Sequence, residues 1–138
     1  MALGESPVEY AKYFAEWKAL GPAGECSDWF FGKDGFYKKP LRNRKMVPRH
    51  VHLPPKSGTE DARKWDRRAK NGDPKESNSA LVYAEDRTHG YLLMFVALDP
   101  HGHKFADLQT SDSVELMGEF CDMAEAFIHD GTVPAGTL

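Results

Sequence analysis

From Tyr91 to Leu98 every residue is apolar. The run is strand-sized, well short of the roughly 18 to 20 residues that a membrane helix needs. Both faces of such a strand are apolar, so it is expected at the centre of a sheet. Ala80-Leu81-Val82-Tyr83-Ala84 reads as the strand before it, and Glu85 to Gly90 as the hairpin loop between the two. Asp99-Pro100-His101-Gly102 reads as a turn, and His103 to Leu108 as a further strand. Val47 to Leu53 alternates, with Val47, Arg49, Val51 and Leu53 on one face and His50 and His52 on the other. Pro48 places that strand near an edge or a start, and Pro54-Pro55 ends it. About four strands, mostly antiparallel, are therefore expected.

Helical signals flank these strands. Ser6, Pro7 and Glu9 form a capping box, and Tyr10, Tyr13, Phe14, Trp17 and Leu20 follow as an apolar stripe. Gly21-Pro22 stops that helix. Trp29 to Pro40 is aromatic and glycine-rich, and reads as a turn with a short anchoring segment. A second helix is expected from Asp112 to about Asp130, with Asp112 and Glu115 as its capping pair. Val114, Met117, Cys121, Ala124 and Ile128 make its apolar seam, widened by Phe120 and Phe127. The expected architecture is α+β: a small, mostly antiparallel sheet packed with N- and C-terminal helices. At 138 residues, with 41% hydrophobic and 12% aromatic residues, the chain suits one domain with one core, spanning 1–138.

Cys26 and Cys121 give neither a CxxC spacing nor a disulfide framework. The N-terminus has no basic stretch leading into an apolar segment. A reducing, cytoplasmic setting is the expectation.

The net charge of −3 hides an asymmetry. Between Lys33 and Lys75 there are 14 Lys and Arg against 5 acids, a local +9. Such a block suits a polyanion on one face; its plainer reading is a solvated loop with a salt-bridged helix. Its least apolar part, about 56–79, reads as a basic insertion, either mobile or one exposed helix over Glu60 to Asn71 with Trp65 as its large apolar residue. The expected RNA contacts are Lys38, Lys39, Arg42, Arg44, Lys45, Arg49, Arg63, Lys64, Arg67 and Arg68.

His50-Val51-His52 puts two imidazoles on one strand face, and His101-Gly102-His103 offers a second pair, followed by Lys104. If the strands share a sheet, His50, His52, Tyr83, His103 and Lys104 share a surface. Three readings stay open. HxH is a bidentate metal-ligand spacing. Metal-free RNA cleavage needs a base for the 2′-OH, an acid for the leaving oxygen and cations around the phosphate, and histidine titrates in the right range. The third reading is two half-buried sheet histidines with no chemical role. No P-loop, dinucleotide glycine fingerprint or GxSxG is present.

An ordered set of short motifs carries a resemblance. It comprises Phe31-Gly32-Lys33-Asp34-x-x-Tyr37-x-x-Pro40, His50-Val51-His52-Leu53, Leu81-Val82-Tyr83, the apolar strand Leu92 to Leu98, Pro100-x-x-His103-Lys104 and Met123-Ala124-Glu125-Ala126-Phe127. Together they resemble the YafO toxins of type II toxin–antitoxin systems. The resemblance implies a ribosome-dependent mRNA endonuclease with no cofactor and no metal. Its implied partners are a cognate antitoxin, the ribosome and mRNA, with no membrane. It also implies a RelE-like fold by analogy, with a small sheet under two N-terminal helices. The basic insertion is longer than the family's connection at that place, and no strand precedes the first helix as one does in RelE-type toxins. The implied catalytic candidates are His50, His52, Tyr83, His103 and Lys104, which lie in the matching motifs. One of the histidines would take the proton, Lys104 with Arg49 would offset phosphate charge, and Tyr83 would orient a base or donate to the phosphate. The rival classes are a non-catalytic RNA- or ribosome-binding module and an HxH metal enzyme.

Overall fold

The fold was obtained as a computed structural model that describes residues 7–27, 30–99 and 104–134. The expected cap at Ser6, the turn at Pro100 to Gly102, and Trp29 and His103 lie outside the described residues.

The hairpin forms where the apolar runs place it. Strands β3 (Ala80–Asp86) and β4 (Gly90–Ala97) pair antiparallel. The Asp86 carboxylate closes the turn by accepting from the backbone N–H groups of Thr88 at 3.1 Å and His89 at 2.9 Å. Gly90 takes φ 89° there. Two shorter strands complete a four-stranded antiparallel sheet, β1 (Asp34–Phe36) and β2 (Arg49–His52), in the order β1-β2-β3-β4. The central position expected for Tyr91 to Leu98 is therefore corrected. β4 is an edge, with Tyr91, Phe95 and Val96 exposed, and β3 is interior, with Ala80 to Ala84 buried throughout. Both faces of β4 are apolar because each meets a helix-backed cluster: Leu93 on one side, Leu92 on the other.

Helix α1 (Pro7–Lys18) covers one face of the sheet. Phe14 and Trp17, one turn apart, sink into a cluster with Phe31, Val51, Leu81 and Tyr83. Gly21 in the left-handed region, at φ 68°, ends the helix and leaves Leu20 exposed outside the expected stripe. The chain then turns into the short α2 (Pro22–Ser27), whose Gly24 carbonyl accepts from Trp17 Nε1 at 2.9 Å.

Helix α3 (Glu60–Asn71) is the basic helix expected inside the insertion. The Thr59 hydroxyl accepts from Ala62 N–H at 3.1 Å, and Gly72 closes the C-terminus at φ 74°. The insertion is docked on the domain. Trp65 is 1% exposed, and the fully buried Lys75 donates to the Glu25 carbonyl at 2.7 Å with its Nζ 5.7 Å from the Trp65 ring centre. A Cβ on Gly32 would stand 2.4 Å from the Lys75 carbonyl oxygen, so only glycine fits where the strap, residues 72–79 between α3 and β3, crosses the segment leading into β1.

Helix α4 (Ser111–Asp130) covers the opposite face of the sheet. Thr110 and Ser113 form its capping box in place of the expected Asp112 and Glu115. Met117, Phe120, Cys121, Ala124 and Phe127 are buried, whereas Val114 and Ile128, expected in the seam, are exposed because the buried stripe runs along the Phe120 and Phe127 side. Burial pushes the Cys121 thiol pKa up, which suits a packing role. The strand expected over His103 to Leu108 is corrected as well: Phe105–Asp107 is a turn of 3₁₀ helix, and Leu108 follows at φ 57°. Phe105 anchors that turn edge-on against Tyr37. Among the described residues no helix is long and apolar enough to cross a membrane.

Candidate functional site

The period-two rule places the two histidines as expected. Asp34 faces Val51, Gly35 faces His50 and Phe36 faces Arg49 across β1 and β2. Asp34, Arg49, Val51 and Tyr83 thus point toward α1, and Gly35, His50 and His52 toward the other face. On that second face the strand side chains surround an open cleft of about 520 Å³. His50 and His52 form its wall together with Tyr37, and Lys33, Lys38 and Glu76 form its rim.

Each imidazole is held. The His50 ring lies flat on Tyr37, with centres 4.1 Å apart and an angle of 12°. The His52 ring is 5.5 Å from that of His50, centre to centre. Ser77 donates its backbone N–H to His52 Nδ1 at 2.8 Å when that nitrogen is unprotonated. The Ser77 carbonyl lies 2.9 Å from the same nitrogen and accepts its proton when it carries one. Ser77 thus holds the ring by its Nδ1 edge, through its N–H or its carbonyl according to the tautomer. Ser77 is itself fixed, because its hydroxyl donates to the Leu53 carbonyl.

Gly35 opens the cleft beside His50. A Cβ built there meets nothing within 4 Å, so the missing side chain leaves space that the neighbours do not fill. Phe36 and Met46, both exposed, add apolar walls. Lys33 bonds Glu76 at 3.1 Å. Both groups are about half exposed, so the pair contributes at most about 1 kcal/mol and exchanges readily for another anion.

Tyr83 and Arg49 stand apart from the histidines, behind the sheet. The Tyr83 phenol donates to Asp34 and accepts from Lys18 Nζ and Arg49 Nε, each at 3.0 Å. Burial, reinforced by the Asp34 charge, drives the phenol pKa far above its ordinary range. Arg49 also stacks on Phe36, its Cζ 4.3 Å from the ring centre. The single surface expected for His50, His52, Tyr83, His103 and Lys104 is thus divided: the histidines of β2 face the cleft and Tyr83 faces α1. His103 lies outside the described residues. Lys104 is exposed just before Phe105 and is not among the described residues that line the cleft.

The basic residues also sort by environment. Arg42 is engaged by Asp122 at 2.9 Å and Glu125 at 2.7 Å, which ties its loop to α4. Arg63 and Arg67 turn to Glu60. Lys39 donates to the Asp107 carbonyl at 3.3 Å. Lys38, Arg44 and Lys45 are exposed, and Lys64 and Arg68 line a groove beside the strap. Sequence reasoning passed over Lys33, Gly35, Tyr37 and Glu76. Alternation groups Lys33, Gly35 and Tyr37 on one face, but only the pairing of Gly35 with His50 puts that face with the histidines. Among the described residues no group of three or more His, Cys, Asp or Glu is placed to hold a metal ion.

A family model described as Toxin YafO, type II toxin-antitoxin system, matches residues 15–129, well over half of the chain. No curated protein and no solved structure matches it.

Proposed function

This chain belongs to the YafO toxin family of type II toxin–antitoxin systems, which gives it a cognate antitoxin as partner, and on that ground we propose that it is an endoribonuclease that cuts mRNA on the ribosome in the cytoplasm. The observation that carries the reading is the juxtaposition of His50 and His52 in one open cleft rimmed by Lys33 and Lys38.

The chain supplies the acid, the base and the cations, and the RNA supplies the nucleophile. One imidazole takes the proton of the RNA 2′-OH, and the 2′ oxygen attacks the adjacent phosphorus. The bond from phosphorus to the 5′ oxygen breaks, and the other, protonated imidazole gives its proton to that oxygen. The products are a 2′,3′-cyclic phosphate and a 5′-OH. Lys33 and Lys38 meet the charge that builds on the phosphate. Tyr83 and Arg49 act from behind, by holding Asp34 and hence the strand that carries Gly35. Lys104 is assigned the outer phosphates.

The test is cleavage of mRNA in a purified translation system, with ribosome-free mRNA as control. Cuts that need translating ribosomes and are lost in the His52→Gln variant support the reading. Translation arrest with intact mRNA would replace it by a non-catalytic ribosome-binding module.

A further inference from the structure

The cleft and a second groove share a lining residue. Glu76 lines both: the cleft with Lys33 and His52, and a groove of about 300 Å³ with Lys64 and Arg68 of α3. Lys64 and Arg68 lie one helical turn apart, on the flank of α3 next to the one where Arg63 and Arg67 meet Glu60. Arg68 is tied to the strap, its Nη1 donating to the Pro74 carbonyl at 3.2 Å. The Glu76 carboxyl is held below the usual carboxylate range, first by its hydrogen bond from Lys33, with smaller contributions from His52 and Arg68. One carboxylate is thus within electrostatic reach of both the cleft and the basic helix.

We propose that α3 and the strap prolong the cleft into a track for a single RNA strand, with Lys64 and Arg68 taking the phosphates of the nucleotides that leave the cleft and Glu76 standing at the joint as a gate. The proposal rests on the reading of the cleft as the cleavage site. In the free protein Glu76 occupies Lys33. A strand entering the track brings a phosphate that takes Lys33 over, and the freed carboxylate opposes it. Asp61, which also lines the groove, adds a second opposing charge. The arrangement favours strands long enough to reach Lys64 and Arg68, whose attraction offsets the gate, over fragments that fill the cleft alone.

The test uses non-cleavable 2′-O-methyl RNA, a trinucleotide and a dodecanucleotide, with binding to the purified protein followed by fluorescence anisotropy between low and moderate salt. The combined Lys64→Ser and Arg68→Ser variant is expected to bind the dodecanucleotide about tenfold more weakly. Its salt slope should be flatter by about 1.4, the share of two single-strand phosphate contacts. Its trinucleotide affinity should be that of wild type. Glu76→Gln should bind the dodecanucleotide about two- to fivefold tighter. Gly35→Leu, whose Cβ meets nothing within 4 Å, places its side chain in the cleft and should abolish both trinucleotide binding and cleavage on ribosomes, with thermal unfolding showing that the fold persists. An unchanged dodecanucleotide affinity and slope in the double variant would overturn the track, while loss of cleavage in Gly35→Leu would leave the cleft reading intact. Full cleavage by a folded Gly35→Leu protein would overturn the cleft reading, and the track with it.

Discussion

Tyr83 donates its phenol proton to Asp34 on the face of the sheet opposite to His50 and His52. Asp34 immediately precedes Gly35, so the bond fixes the short β1 strand from behind the cleft. Lys18 joins the same carboxylate and brings the end of α1 into the network. Cleft and network are two sides of one strand pair.

Tyr83→Phe keeps the ring in its cluster and removes the hydroxyl. Asp34, Lys18 and Arg49 each lose a buried partner. A destabilisation of about 1–3 kcal/mol is expected, read as a lower urea midpoint. Cleavage per folded molecule should fall by less than about tenfold. A protein of wild-type stability that has lost about a thousandfold in cleavage would instead put Tyr83 in the chemistry.

His52→Gln is expected to cost about 10²- to 10⁴-fold in single-turnover cleavage with folding retained. His50→Gln should cost a similar factor and also loosen Tyr37, which stacks on it. Near-ultraviolet circular dichroism, which reports on aromatic packing, separates that loosening from the catalytic loss. Wild-type rates in both variants would reduce the pair to sheet residues.

The attacking group is the substrate's own hydroxyl. A 2′-deoxy nucleotide at the cut site should block cleavage, and the upstream product should carry a 2′,3′-cyclic phosphate, visible by mass spectrometry. Activity should survive EDTA. Activity lost to EDTA and restored by zinc would return His50 and His52 to the metal reading.

Gly32→Ala sets a methyl against the Lys75 carbonyl and the Trp65 ring, 2.4 Å and 2.8 Å from the ideal Cβ. The strap or α3 must shift, at a cost of about 1–3 kcal/mol. Hydrogen exchange should show faster opening of α3 than of β3. Uniform exchange equal to wild type would mean that the contact relaxes freely.

Induced alone, the protein should stop growth, and the cognate antitoxin expressed with it should restore growth. Unimpaired growth at high levels of intact protein would contradict the proposed activity.

The sequence exposed those parts of the fold whose signals are local. The β3–β4 hairpin shows as two apolar runs around a polar loop, and α1 and α4 show as periodic stripes with end signals. β1 does not show: Asp34-Gly35-Phe36 has little strand character of its own and is extended because β2 pairs with it. The side on which Tyr83 falls was equally hidden. Alternation fixes faces within a strand, but the parity between strands comes from register, here Arg49 opposite Tyr83. The histidine pair needed only one strand and was legible. Its supports were not, because Tyr37, Glu76 and Ser77 reach it from other segments. His103 to Leu108 reads as extended, yet Phe105 is held in a tight turn by its packing on Tyr37 and Phe120.

Lys75 is fully buried, its ammonium donating to a backbone carbonyl and facing an indole ring. A charge held there cannot meet a phosphate directly. The same holds in part for Arg42 and Arg49, whose fields are largely cancelled by carboxylates a few ångströms away. The attraction felt by an approaching polyanion is therefore more directional than the block's formal +9 suggests, with Lys33 and Lys38 at the cleft and Lys64 and Arg68 along one flank of α3.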